Sequence, residues 1–246
     1  MIVEEGVKIV ETAGSNPQQF ISYFRQNNVI TIHKCVTIRH ALSAERYGVD
    51  IVSLDGFECA GHPGEKDVGN MVLQARGAQA LSKPYLCSGG IATGTQLAAS
   101  LALGADGINL GTRICATKEC CWPDSFKSKM LQGDENDTVL ILRRLRNTSR
   151  VFKNKVAVET AQIEDKKGDD FAIQDVMHLV SGKRGRQAEK DNDADGGIWT
   201  ASQAMGLIHT IPTCQQVIDH IVAEAEDCIR SRLNGLLVAS QPNSRL

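Results

Sequence analysis

No apolar run in this chain approaches the ~18 residues that a membrane-spanning helix needs. Met1-Ile2-Val3-Glu4-Glu5 has neither the basic start nor the apolar centre of a secretory leader. Net charge is also scarce: −2 at neutral pH offers no general attraction to nucleic acid or to an anionic membrane. The eight cysteines (35, 59, 87, 115, 120, 121, 214 and 228) include no Cys-x-x-Cys, and no His or Cys lies at zinc-site spacing. Cys120-Cys121 therefore reads as two plain small side chains rather than as a redox or metal pair. A chain of 246 residues, 42% hydrophobic, can bury a full core without disulfides, so reduced thiols in a cytoplasmic compartment are the expectation. A dinucleotide fingerprint of the Rossmann type is missing too.

What the chain does contain is organised around Pro84–Thr112. A short apolar strand, Tyr85–Cys87, stops at Ser88-Gly89-Gly90. A helix follows, with Thr95 as the expected N-cap and Leu97, Ala98, Leu101 and Leu103 on one face; Gly104 closes it. Ile108-Asn109-Leu110 starts the next strand, which ends at Gly111-Thr112. Glycine at the carboxyl end of a strand lets a ligand approach the backbone, and a following helix turns free N–H groups toward it, so a phosphate would suit this unit. Two tight turns without a ligand are the plainer reading.

Upstream, strands are expected at Val7–Glu11, Val29–His33 and Ile51–Leu54, with helices after Ser15-Asn16-Pro17, from about Thr37 to Tyr47, and around Met71–Leu81. Strands thus recur about every 25–30 residues, the size of one βα unit. Gly48-Val49-Asp50-Ile51-Val52-Ser53-Leu54-Asp55-Gly56 echoes Gly104-Ala105-Asp106-Gly107-Ile108-Asn109-Leu110-Gly111-Thr112 two units on. Parallel α/β architecture follows, with residues 1–122 as one unit.

From Pro123 to about Gly206 the sequence reads as a polar, helical insertion. Its basic run, Arg143, Arg144, Arg146, Arg150, Lys153 and Lys155, is flanked by Asp134, Glu135, Asp137 and Glu159, with no aromatics interleaved. A solvated helix face is favoured there over a nucleic-acid surface. Thr213 and Gln216 form a capping box ahead of the apolar stripe Val217, Ile218, Ile221, Val222, Ala225, Cys228 and Ile229. Residues 207–235 should be the helix that packs last on the sheet, and 236–246 a disordered tail.

The chemistry concentrates after the third strand, in Asp55-Gly56-Phe57-Glu58-Cys59-Ala60-Gly61-His62-Pro63-Gly64-Glu65. His62 has nothing apolar around it to bury it, and it lies at the strand ends where catalytic groups of a β/α barrel gather. Lys34, past the second strand, shares that rim.

Ile32-His33-Lys34-Cys35, Asp55–Glu65, Ser88-Gly-Gly-Ile-Ala92 and Gly107-Ile-Asn-Leu-Gly-Thr-Arg113 together resemble the FMN-dependent nitronate monooxygenase (2-nitropropane dioxygenase) family, near its NADH:quinone reductase branch. The similarity continues through Arg143–Val151, Gly182–Arg186, Gly197–Trp199 and Gly206–His209, over nearly the whole chain. It implies a (β/α)8 barrel with a helical subdomain. Ser88, Gly89 and Gly90, with Gly111 and Thr112, would be the FMN phosphate cradle. Lys34, Asp55, Ala60 and Gly61 would lie against the flavin, and His62 would be the active-site histidine. Aligned on these motifs, the chain begins near the end of the third βα unit, so the last five units of the barrel are expected.

Three reactions fit the resemblance. An alkyl nitronate could be oxidised with O2 through FMN, His62 removing the α-proton of a neutral nitroalkane. NAD(P)H could instead reduce a quinone, with His62 orienting or protonating the acceptor, or reduce an enoyl thioester. An inactive, truncated barrel is the non-enzymatic alternative. A small-molecule substrate, no nucleic acid, no membrane and a possible homo-oligomer complete the expectations.

Overall fold

Cys35, Val52, Leu54, Tyr85 and Cys87 share one face of their strands, Val52 with Leu54 and Tyr85 with Cys87 two positions apart, and this period of two turns one face of the sheet to helices. A computed structural model describes residues 1–237 of the chain. Its main sheet has five strands in sequential order, all parallel: β1 (Ile9–Thr12), β2 (Ile30–Cys35), β3 (Ile51–Asp55), β4 (Tyr85–Ser88) and β5 (Gly107–Asn109). Four helices connect them: α1 (Gln18–Gln26), α2 (Ile38–Tyr47), α3 (Asn70–Ala80) and α4 (Gly94–Ala102). Cys35, Val52, Leu54, Tyr85 and Cys87 form one core with Ile21, Ala41, Ala44 and Leu73 of those helices. Each fully buried side chain of Leu size contributes roughly 1.5–3 kcal/mol, so this face carries the sheet's stability.

The register assigns the other face. Ile9, Glu11, Ile30, Ile32, Lys34, Ile51, Ser53, Asp55, Leu86, Ser88 and Asn109 line a concave side, with apolar residues toward the amino ends and polar ones toward the carboxyl ends. The starts of β3 and β4 fall where expected, and the other strand bounds shift by one to three residues. Thr93, not Thr95, is the N-cap of α4: its hydroxyl accepts from the Gln96 N–H, and Gln96 Oε1 accepts in turn from the Thr93 N–H.

The segment after Trp122 is corrected more deeply. The helices α5 (Thr112–Cys115) and α6 (Asp124–Gln132) are followed by an antiparallel hairpin, β6 (Thr138–Ile141) with β7 (Ser149–Phe152). The basic run thus begins in a hairpin turn rather than on a helix, and Arg150 is buried in β7. Thr-Val-Leu-Ile and Val-Phe favour a pleated strand. Glu164 holds the turn by accepting from the N–H groups of Leu142 and Arg144, both at 2.7 Å, where Leu142 takes a left-handed φ of +60°. Helices α7 (Lys155–Lys167), α8 (Ile173–Val180) and α9 (Gly182–Lys190) complete this part. Trp199 knits it together: Phe152 stacks on it at 4.4 Å, with Phe126 and Trp122 at 5.3 and 5.5 Å.

The last helix, α10 (Cys214–Asp227), starts at the expected capping box and packs on α4. Its line continues as a π-helical stretch, Cys228–Leu233. Most of the expected tail, 238–246, lies outside the described residues. Among the described residues no helix is long and apolar enough to cross a membrane.

Candidate functional site

At the carboxyl ends of β2, β3 and β4 the register brings Lys34, Asp55 and Ser88 onto one face. Lys34 Nζ lies 3.4 Å from Asp55 Oδ1 and 3.4 Å from Ser88 Oγ, with Glu11 Oε1 of β1 at 3.7 Å. Asn109 of β5 reaches across the concave face and donates to Glu11 at 2.6 Å. The polar rim is therefore one network fed by all five strands. Glu11 and Asn109 were not anticipated; a polar side chain at the end of an otherwise apolar strand was the available signal.

The turns after β4 and β5 differ from each other. Gly89 and Gly90 have φ of +86° and +75°, and a Cβ on either would strike Cys59 or Glu58 at 2.7 and 2.6 Å. Close packing of the 55–65 loop therefore requires these two glycines before any ligand is considered. Gly111, at the N-cap of α5, is the opposite case: its φ is −106°, and nothing lies within 4 Å of a Cβ placed there. Among the described residues, the N–H groups of Gly90, Ile91, Gly111 and Thr112 donate to no protein acceptor. The Thr112 hydroxyl is already engaged, accepting from the Ser202 N–H at 3.0 Å.

Asn70 and Gln74 fix the first turn from beneath. Asn70 Nδ2 donates to the carbonyls of Ser88 and Gly89, and its Oδ1 accepts from Gln74 Nε2, which also reaches the Leu54 carbonyl. Glu58 accepts from the Asn70 N–H at the start of α3. A cavity of about 270 Å³ opens beside Gly90, lined by Glu58, Gln96, Gln203 and Leu207 among others. A larger one, about 430 Å³, lies between the hairpin and α7, away from the strand ends and among ion pairs already satisfied.

Ala60, Gly61 and His62 stand apart from the Lys34 network. His62 is exposed and makes no hydrogen bond among the described residues. Its backbone is held nonetheless: the Gly61 N–H donates to the Arg150 carbonyl at 3.0 Å, and Gly61 accepts in return. The neighbouring thiol, Cys59, is pushed up to about 12 by burial first and by Asp55 second, so it is no nucleophile at neutral pH. Arg113, just past Gly111, is buried; its Nη2 donates to the carbonyls of Ala116 and Thr210, and burial lowers its pKa.

With this geometry in place, the relatives fit. A family model for nitronate monooxygenase matches residues 1–224. A dehydrogenase of Rhodococcus jostii, named for a hydroxy-methyl-oxo-octahydro-indene-carboxyl-CoA, is 26% identical over 259 residues, covering 92% of this chain and 72% of that protein. FabK from Thermotoga maritima superposes with a TM-score of 0.88 at 28% identity, over 96% of this chain and 73% of its own. Nitroalkane oxidase from Streptomyces ansochromogenes follows at 0.77 and 25%, over 94% and 67%. These neighbours are TIM-barrel enzymes, and the five parallel strands described here superpose on that architecture. The chain belongs to the nitronate monooxygenase family, whose members are oxidoreductases.

Proposed function

We propose that the chain binds FMN with its phosphate at the ends of β4 and β5 and oxidises alkyl nitronates with O2. The observation that carries this is the set of N–H groups at Gly90, Ile91, Gly111 and Thr112, unpartnered among the described residues and just past two adjacent strand ends about 4.8 Å apart. Unpaired backbone donors just past two neighbouring strands suit a phosphate, and the open space at Gly111 leaves room for it. The residues present fit the group at that end. Lys34, Asp55 and Ser88 lie at the neighbouring strand ends, where the ring system would extend, and Ala60 and Gly61 follow on the loop.

Bound flavin would supply the two-electron chemistry. The chain's own part is simpler to derive. Lys34 offers a cation held between two carboxylates, so it can donate to an anionic oxygen without leaving its place. His62, exposed and without a hydrogen-bond partner among the described residues, offers a ring nitrogen to take the α-proton of a neutral nitroalkane; a pre-ionised nitronate does not need it. Cys59 stays protonated and takes no part.

Titrating the purified chain with FMN, followed by flavin fluorescence, tests the binding step. Saturable 1:1 binding is expected, and none would overturn the reading. Oxygen uptake with propionate 3-nitronate is then the expected activity. A second reading is favoured by the CoA-ester name of the Rhodococcus relative: a thioester acceptor reduced with NAD(P)H at the same flavin. NAD(P)H oxidation driven by an enoyl-CoA or by benzoquinone, without oxygen uptake on nitronate, would shift the assignment to that side.

A further inference from the structure

We propose that Arg150 is a positioning residue for His62, holding the 57–62 segment at both of its ends; the proposal rests on the base role given to His62 above. Arg150 lies on β7, and only 4% of it is exposed. Its Nε and Nη2 both donate to the Phe57 carbonyl, at 3.3 and 3.0 Å, and its guanidinium carbon lies 4.7 Å from the centre of the Phe57 ring. Nη1 donates to Thr138 Oγ1 at 2.9 Å within the hairpin. Its main chain meets Gly61 twice: the Arg150 N–H donates to the Gly61 carbonyl at 2.6 Å, and the Arg150 carbonyl accepts from the Gly61 N–H at 3.0 Å. One residue thus grips the loop by its side chain before the turn at Glu58–Ala60 and by its backbone just before His62.

Three further observations make this more than packing. Among the described residues no carboxylate pairs with Arg150, so a buried guanidinium depends on the loop's carbonyl, one hydroxyl and one ring. A buried cation is costly without such partners, so loop position and Arg150 position are coupled. Among the described residues the His62 side chain makes no tie of its own, which leaves its place to the backbone on either side. That backbone is constrained: Gly61 and Gly64 have φ of +73° and +77°, and Pro63 between them is buried. Beyond His62 the hairpin grips again, Glu65 accepting from the Thr148 N–H and hydroxyl at 3.0 and 2.5 Å, and Arg143 pairing with Asp67 at 2.8 Å. A loop held this way keeps a general base in register with its proton, and a misplacement of about 1 Å can cost roughly 10²-fold.

The test uses the 246-residue chain in four forms: wild type, Arg150→Lys, His62→Asn and the double variant. Lysine keeps the charge and loses the fork that spans Phe57. Two readouts are taken. In hydrogen–deuterium exchange without FMN, Arg150→Lys should speed exchange across residues 57–65 by about 10-fold, leaving β1–β5 unchanged. In steady-state kinetics of the FMN-loaded protein, Arg150→Lys should lower kcat/KM for a neutral nitroalkane about 10- to 100-fold and for the pre-formed nitronate less than about 3-fold. Against a His62→Asn background the same change should cost nothing further. Unchanged exchange in the loop, or losses that multiply in the double variant, would overturn the proposal. Should Arg150→Lys fail to fold, Glu65→Gln loosens the far side of the loop and is judged on the same exchange criterion. If His62→Asn alone leaves neutral-nitroalkane turnover intact, the base role falls, while loop exchange still decides whether Arg150 is the clamp.

Discussion

A glycine can be required for two different reasons, and the two turns of this site separate them. At Gly90 a side chain is refused by Glu58 and by a left-handed φ, so Gly90→Asp would fail structurally and say nothing about phosphate. At Gly111 a side chain has room and an ordinary φ, so the substitution reports on charge. Gly111→Asp should weaken FMN binding about 10- to 100-fold, whereas the isosteric Gly111→Asn should cost less than about 5-fold, because a carboxylate repels phosphate where an amide does not. Fluorescence titration of both variants checks this; equal losses would point to shape rather than charge. His33 supplies a second residue-scale test. It is buried on the helix side of β2, and burial, opposed by a backbone hydrogen bond with Thr12 and helped by His40, lowers its pKa from 6.5. The unfolded chain then binds this proton more readily than the folded one. The stability it protects is whole above about pH 6.5 and falls as pH drops through that value, with a slope of at most about 1.4 kcal/mol per unit. Melts between pH 7.5 and 5 should show a flatter profile for His33→Gln than for wild type. Identical slopes would mean that His33 is not the group.

Between elements, helix contacts were easier to read than loop contacts. The box Thr213-x-x-Gln216 and the stripe behind it place α10 from sequence alone, since a cap and a 3.6-residue period are local signals. Thr93-Gly94-Thr95-Gln96 carried the same signal, but two threonines competed, and only the spacing to Gln96 decides for Thr93. The strands were legible for a similar reason: a βα unit repeats within the reach of a short window. The hairpin was not, because four charged residues over 143–150 look like a solvated face until Arg150 meets Phe57, 93 positions away. Lys34, Asp55 and Ser88 could be named from the motifs, yet Glu11 and Asn109 join them only through sheet register. Packing of α10 on α4 gives an element-scale prediction. Gly94 allows that contact: a Cβ there would lie 2.3 Å from the Ile221 carbonyl oxygen and 2.6 Å from the Ala225 nitrogen, both backbone atoms that cannot rotate away. Its N–H also donates to Glu224 Oε2 at 2.7 Å. Gly94→Ala should therefore cost about 1–3 kcal/mol, or roughly 3–10 °C in Tm, despite alanine's better helix propensity. Calorimetry checks the sign, and a raised Tm would contradict the packing argument.

At the largest scale, the decisive feature among the described residues is a sheet of five strands that does not close on itself. Adjacent strands twist by only about 20–25° and eight close a barrel of this class, so five parallel strands leave β1 and β5 as edges. Among the described residues neither edge is paired beyond the sheet, and the concave face presents Ile9 and Ile30 at 56% and 44% exposure. Among the described residues, only the side chains of Glu11 and Asn109 bridge the opening, at its polar end. Unpaired strand edges next to an apolar face recruit further strands, and net stability is only about 5–15 kcal/mol for a domain, so sequestering that face is favoured. The 246-residue chain should accordingly elute from size exclusion as a multiple of 26.7 kDa, with the larger species growing as concentration rises. Ile30→Lys sets a charge on the open face without touching the helix-side core, and should shift the protein toward the single-chain mass with little change in Tm. Light scattering across a dilution series reads both effects. A wild-type protein that stays at the single-chain mass at every concentration would show that the concave face is covered by something other than a second chain.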